Sequence, residues 1–238
     1  MRVLITRPRE DGERLARRLA GAGIEVVLAP VMDICFRTNE MVVLDNVQAV
    51  LLTSANGARS LAATTSARDI PILAVGEATA ETASGFGFKA VTSAGGDVES
   101  LADTIIATCN PAGARLLHVA GRHAAGVLVD RLKAAGFAVE RRVLYDAVPI
   151  AALSEEAFRA LETGPLDAAL FFSPRTAEAF VSLARSGGLV ECCRRLDALC
   201  LSEAVAARLS GSEWRRVLVS PRPDQEALLE LMGIDFQG

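Results

Sequence analysis

Aromatic side chains make up only 5% of this chain, with one tyrosine and one tryptophan among 238 residues. That scarcity argues against a stacking platform for single-stranded nucleic acid. A basic footprint is missing as well. The 25 lysines and arginines stand against 29 acidic residues, a net charge of −4, so no nucleic-acid partner is expected. Only two histidines are present, neither in a cluster of ligands, and no metal is expected. No apolar run reaches the length that spans a bilayer, so no membrane partner is expected. Arg2, Arg7 and Arg9 interrupt the N-terminus where the apolar part of a leader would lie. The five cysteines are an odd number without Cys-x-x-Cys spacing. They read as reduced thiols in a cytoplasmic protein. The adjacent pair Cys192 and Cys193 has no further ligands near it in sequence, so packing is preferred to a soft metal.

Catalytic signatures are equally sparse. Gly121-Arg122-His123-Ala124-Ala125-Gly126 has the glycine spacing of a P-loop, but Val127-Leu128 stand where lysine and a hydroxyl are needed. No Gly-x-Gly-x-x-Gly follows a strand, and no Gly-x-Ser-x-Gly elbow exists. His118 falls inside a strand pattern and reads as a packed, hydrogen-bonded side chain. His123 sits beside Arg122 with no partner carboxylate in view.

What is present suits a core: 51% of residues are hydrophobic and 23% charged. The length fits two ordinary domains or one large one. The organising stretch is Ala49-Val50-Leu51-Leu52-Thr53-Ser54-Ala55-Asn56-Gly57. An apolar strand meets a polar corner and then a small-residue helix, with Ser54 placed as N-cap. The same corner returns at Ala168-Ala169-Leu170-Phe171-Phe172-Ser173-Pro174, with proline at the first helical position.

Read in order, the chain predicts strands at Arg2–Thr6, Glu25–Leu28, Asp45–Thr53, Ile72–Val75, Lys89–Thr92, Arg115–Val119, Val139–Val143 and Val217–Val219. Helices are predicted near Glu10–Ala20, from the Asp97 cap to Cys109, at Ala124–Ala135, near Ser154–Leu161 and over Asp224–Met232. Gly21 and Gly23 are expected to stop the first helix. The halves echo each other. Arg2 and Arg115, Gly23 and Gly136, and Val26 and Val139 are each 113 apart, and Ser54 and Ser173 lie 119 apart. Gly76 and Ser202 differ by 126, and Ser93 and Ser220 by 127. A duplicated α/β fold follows, with mostly parallel sheets and helices on both faces. The simplest partition is two tandem domains meeting near Asn110-Pro111.

In such sheets, ligands bind beyond the carboxyl ends of the strands, where helix N-termini offer amides and partial positive charge. The candidate binding residues are therefore Thr6, Arg7, Thr53, Ser54, Ala55, Asn56, Gly76, Thr79, Gly121, Arg122, Ser173, Pro174 and Ser202. Many amide donors with few formal charges suit a polyanionic organic ligand. Taken one at a time, each of these serines is equally an ordinary cap.

Several of these segments resemble one family. Val3-Leu4-Ile5-Thr6-Arg7-Pro8, Leu52-Thr53-Ser54-Ala55-Asn56-Gly57, Val75-Gly76-Glu77-Ala78-Thr79-Ala80, Phe172-Ser173-Pro174, and the stretch from Gly136 to Leu144-Tyr145 look like uroporphyrinogen-III synthase. Each motif is short, but together they cover the chain in order. The resemblance implies two flavodoxin-like domains joined by a two-stranded crossing, with a cleft between them. Residues 1–34 and 149–238 would form a discontinuous first domain, and 38–145 an inserted second one. It implies a lyase that closes linear hydroxymethylbilane, a tetrapyrrole with eight carboxylates, with loss of water and inversion of the last ring. No cofactor or metal is implied, and a cytoplasmic monomer is expected. By position, Tyr145 matches the family's candidate proton donor. One departure stands out: the family's second Gly-x-x-Thr corner reads Ser202-Glu203-Ala204-Val205 here. Two other readings use the same corners: a duplicated α/β module that binds a tetrapyrrole or other polycarboxylate without turnover, and a sugar-phosphate enzyme of flavodoxin-like build.

Overall fold

Strand and helix alternate along nearly the whole chain. In the computed structural model, which describes residues 1–39, 41–123 and 126–233, the order begins β1 (Arg2–Ile5), α1 (Arg9–Gly21), β2 (Glu25–Leu28), β3 (Met32–Phe36). It continues β4 (Val47–Leu52), α2 (Ala55–Thr64), β5 (Ile72–Ala74), α3 (Glu77–Gly85), β6 (Val91–Ser93), α4 (Val98–Thr108) and β7 (Arg115–Gly121). Then come α5 (Val127–Ala134), β8 (Val139–Pro149), α6 (Glu155–Glu162), β9 (Ala168–Phe171) and α7 (Pro174–Ser186). The chain closes with β10 (Asp197–Cys200), α8 (Glu203–Ala206), β11 (Arg216–Val219) and α9 (Gln225–Glu230), with 3₁₀ turns at Val190–Arg195 and Ala207–Leu209. The start expected for α5 at Ala124 and Ala125 lies outside the described residues.

Two compact units result: Met1–Asp33 with Val148–Gly238, and Ile34–Ala147. Strands β3 and β8 carry the chain from one unit to the other and back. No cut falls near Asn110-Pro111, because β1 pairs with β9 from the far end of the sequence, Val3 opposite Ala168.

The first unit holds a five-stranded sheet in the order β11-β10-β9-β1-β2, and each of its pairings is parallel. Its strands read as continuous apolar runs because helices cover both faces. Val3, Leu4, Ile5 and Ala168–Phe171 are almost fully buried. Leu15 and Leu19 of α1 supply the stripe that packs on this sheet. Gly21 is not the stop that the sequence suggests. The helix takes it in as its last residue, and Gly23, at φ 73°, makes the turn while the amide of Ile24 reaches back to the Leu19 carbonyl at 3.0 Å.

The second unit's sheet has the order β3-β8-β7-β4-β5-β6. Its five-strand portion β8-β7-β4-β5-β6 repeats β2-β1-β9-β10-β11 of the other sheet, strand for strand, and the echoes in sequence fall on corresponding strands. Register repeats as well. Val3 faces Val26 and Ala168 in one sheet, and Leu116 faces Val139 and Ala49 in the other, the same positions offset by 113 and 119. Both sheets are mixed α/β layers with the doubly wound order 2-1-3-4-5, whose order reverses between β1 and β9 and between β7 and β4. Those reversals fix where the candidate corners lie.

Candidate functional site

Ser54 closes β4 and opens α2. Its backbone is extended (φ −162°, ψ 157°), and its Oγ accepts a hydrogen bond from the Gly57 amide at 3.2 Å. Gly57 lets the helix start lie close to the neighbouring strand, since a Cβ there would stand 3.3 Å from the Val119 carbonyl and 3.4 Å from Leu52 Cδ2. Ala55 and Asn56 are buried in the first turn, and Asn56 Oδ1 accepts from Arg59 Nη1 at 2.7 Å. Thr53 Oγ1 lies 3.4 Å from Nε2 of His118 on β7.

Tyr145 comes to this corner from β8. Its hydroxyl oxygen is 2.8 Å from Ser54 Oγ. The β7–β8 register slips by one residue so that Gly121 lies opposite Tyr145, and the Arg122 amide donates to the Tyr145 carbonyl at 3.0 Å. Gly121 makes room for the ring: a Cβ would fall 2.8 Å from Cε2 and Cζ and 3.1 Å from the hydroxyl oxygen. Ser54, Gly121 and Tyr145 therefore meet where the strand order reverses in the second unit.

Charge surrounds this cluster. Arg122 Nε is 2.6 Å from Asp146 Oδ2, and His123 Nε2 is 3.8 Å from Oδ1 of the same carboxylate. Asp146 is thus the carboxylate beside His123 that the sequence did not reveal. Arg141 donates to the carbonyls of Gly121 at 2.8 Å and Arg122 at 3.2 Å. Arg141 pairs with His118 across the β7–β8 ladder, a placement set by strand register and invisible to local pattern. Burial, with the Arg141 charge second, pushes the His118 imidazole down to about 4. It stays neutral near pH 7, with Nδ1 buried and without a hydrogen-bond partner among the described residues, and is not placed as a general acid.

Gly76 opens α3 by backbone alone, its carbonyl accepting from the Thr79 amide at 3.1 Å, and Thr79 is buried. In the first unit, Ser173 reproduces the Ser54 cap on α7, accepting from the Thr176 amide at 3.2 Å, with Pro174 at the first helical position. Thr6 is fully buried and its hydroxyl donates to the Leu170 carbonyl at 2.7 Å, which ties β1 to β9. Arg7 lies with its guanidinium carbon 4.4 Å above the Phe172 ring and donates to Gln225 Oε1 at 2.8 Å. Ser202 makes no side-chain cap, and α8 has only four residues before it tightens into the 3₁₀ turn. That corner is unlike the others, in keeping with its altered Gly-x-x-Thr reading.

Burial raises the thiols of Cys193 to about 11 and Cys200 to about 12, so neither is a thiolate near neutrality. Among the described residues, no group of three or more histidine, cysteine, aspartate or glutamate side chains is arranged to hold a metal ion. Among the same residues, no helix is long and apolar enough to cross a membrane.

Known proteins give these corners their context. No curated protein matches the chain in sequence. Among solved structures, it is similar to a uroporphyrinogen-III synthetase from Helicobacter pylori 26695, with 18% identity, 98% of each chain covered and a TM-score of 0.66. It is also similar to a mutant uroporphyrinogen III synthase from the extremely thermophilic bacterium Thermus thermophilus, with 18% identity, 98% of this chain and 97% of that chain covered, and a TM-score of 0.50. At that identity the likeness speaks for the fold. The sequence family described as uroporphyrinogen-III synthase HemD matches residues 13–230, most of the length, and the chain belongs to the uroporphyrinogen-III synthase family.

Proposed function

We propose that the chain is a uroporphyrinogen-III synthase, a cyclising lyase that turns hydroxymethylbilane into uroporphyrinogen III and water. The observation that carries this reading, beside family membership, is the Tyr145 hydroxyl held 2.8 Å from the Ser54 cap at the start of α2. Tyr145 donates a proton to the departing hydroxyl of the bilane, and water leaves an electron-deficient azafulvene. The substituted carbon of the last pyrrole attacks that carbon and gives a spiro intermediate. One carbon–carbon bond of the spiro centre then breaks, the ring recloses in the inverted sense, and the proton released on closure returns to the phenolate. Free closure would give the uninverted isomer, so holding the bilane in the folded conformation is the larger part of catalysis. General acid help to the leaving group contributes about 10²-fold or more.

A chain of net charge −4 has few cations to spare for eight carboxylates. The corners Ser54–Asn56, Gly76–Thr79 and, in the first unit, Ser173–Pro174 are the proposed carboxylate holders, through backbone amides at Ser54–Asn56, Gly76–Ala78 and Ser173, since Pro174 has none, with Thr53, Gly121 and Arg122 shaping the Tyr145 side. Thr6, Arg7 and Ser202 are assigned to the edges of the first unit's corners. The protein acts as a cytoplasmic monomer on this small molecule, without nucleic acid, with residues 1–34 and 149–238 as the discontinuous first domain and 38–145 as the inserted second. The test is incubation with freshly made hydroxymethylbilane and separation of the cyclised isomers. Enzyme-dependent type III product is expected. Tight binding of the bilane without faster cyclisation would make the chain a binding module instead.

A further inference from the structure

The duplication provides an internal comparison that the reaction alone does not. Ser54 and Ser173 are equivalent caps, both extended, each accepting from the amide three residues on at 3.2 Å. Their hydroxyls end differently. In the first unit the residue three beyond the cap is Thr176, and its Oγ1 lies 3.0 Å from Ser173 Oγ, so that hydroxyl is turned in on its own helix. In the second unit the equivalent residue is Gly57, which offers no side-chain partner, and the hydroxyl reaches out to Tyr145 at 2.8 Å. Gly121 leaves the space in which the tyrosine ring sits.

We infer that Ser54 is a positioning residue for proton transfer, donating its hydroxyl proton to the Tyr145 oxygen and thereby aiming the phenol proton at the substrate. This rests on Tyr145 being the proton donor of the proposed reaction. Either oxygen of this pair could donate, and the inference assigns the donor to Ser54 because of its cap. Ser54 Oγ already accepts from the Gly57 amide, and a hydroxyl that accepts becomes a better donor. With its oxygen accepting from Ser54, the Tyr145 proton is directed away from the serine. When that proton leaves, the phenolate has the Ser54 hydroxyl and the positive end of ten-residue α2 beside it. A phenol, ordinarily a weak acid with a pKa of about 10, becomes a more usable one.

The lone tyrosine makes the pair directly readable, because phenolate absorbance in the ultraviolet reports Tyr145 alone. The experiment titrates the free protein as wild type, Ser54→Ala, Ser54→Thr and Ser54→Asp, and measures kcat against pH for each with hydroxymethylbilane. Removing the donor in Ser54→Ala should raise the Tyr145 titration by about one pH unit and lower kcat about tenfold. Ser54→Thr, which keeps a donor and a cap, should bring both back toward wild type. Ser54→Asp tests the direction of the bond. Aspartate is at least as good a cap, so α2 keeps its stability, but a carboxylate only accepts and draws the phenol proton inward. The Tyr145 titration should then rise further than in Ser54→Ala, and kcat should fall with it.

A purely structural serine predicts that Ser54→Ala loses cap stability but leaves the Tyr145 titration and turnover unmoved. Identical Tyr145 titrations across the series, with Tyr145→Phe still slow, would overturn the role of Ser54 and leave the Tyr145 reading standing. Wild-type turnover in Tyr145→Phe would overturn both.

Discussion

Gly121→Ala adds one methyl group and tests the Tyr145 corner without touching a polar atom. A Cβ at that position would lie 2.8 Å from two ring carbons of Tyr145, where ordinary carbon contacts are about 3.5–4.0 Å. The ring must therefore retreat by about 0.7–1.2 Å, the difference between those separations. The Ser54–Tyr145 oxygens, now 2.8 Å apart, would pass the ~3.0 Å limit of a good hydroxyl–hydroxyl bond. Overpacking costs about 1–3 kcal/mol, offset by up to about 1 kcal/mol because alanine loses less chain entropy than glycine in a strand. The variant should stay folded with a lowered melting temperature, while kcat falls about 10²-fold through the displaced acid. Initial rates of bilane consumption and a thermal melt on the same preparation separate the two effects. Wild-type kcat in Gly121→Ala would show that the position of the ring does not matter, and the account of this corner would be wrong.

Acid should weaken the second unit through His118. Its folded value of about 4 lies below the ordinary 6.5, so stability is fully present above pH 6.5 and drains as pH falls toward 4. At pH 4.5 the loss is about 2.5 kcal/mol, and urea unfolding at pH 7 and pH 4.5 should show His118→Gln with that much less acid sensitivity. Thr6→Val leaves the buried Leu170 carbonyl without its side-chain donor and should cost about 1–2 kcal/mol in urea unfolding; a raised KM with unchanged stability would instead assign that hydroxyl to the substrate. Ser54→Pro removes both the hydroxyl and an amide of the corner, and its KM should exceed that of Ser54→Ala by about tenfold or more; equal KM values would end the case for backbone recognition of carboxylates there.

The elements were legible in the sequence wherever a local rule acts. Ser54, Asp97, Ser154, Ser173 and Asp224 each accept a first-turn amide, because an N-cap needs only its own helix. The parallel α/β layering follows from apolar runs alternating with capped helices, and the offsets of 113 and 119 residues reappear as strand register. Gly21 misled because two nearby glycines compete as terminators, and only the left-handed turn at Gly23 decides between them. Ser202 misled for a related reason: a serine after a strand looks like a cap even when the helix after it fails within a turn. The Ser54–Tyr145 contact spans 91 residues, and the fit of the ring over Gly121 depends on a one-residue slip between β7 and β8. No local pattern encodes either. Asp146 adjoins Tyr145 in sequence, yet its partnership with Arg122 and His123 appears only once β8 lies against β7.

The most direct measurement is the isomer composition and rate of cyclisation when freshly made hydroxymethylbilane meets the wild-type protein and Tyr145→Phe in parallel. The account predicts type III product from both, because folding of the bilane does not depend on the phenol proton, with turnover of the phenylalanine variant lower by about 10²-fold or more. Type I product from the wild-type protein at the uncatalysed rate would contradict it.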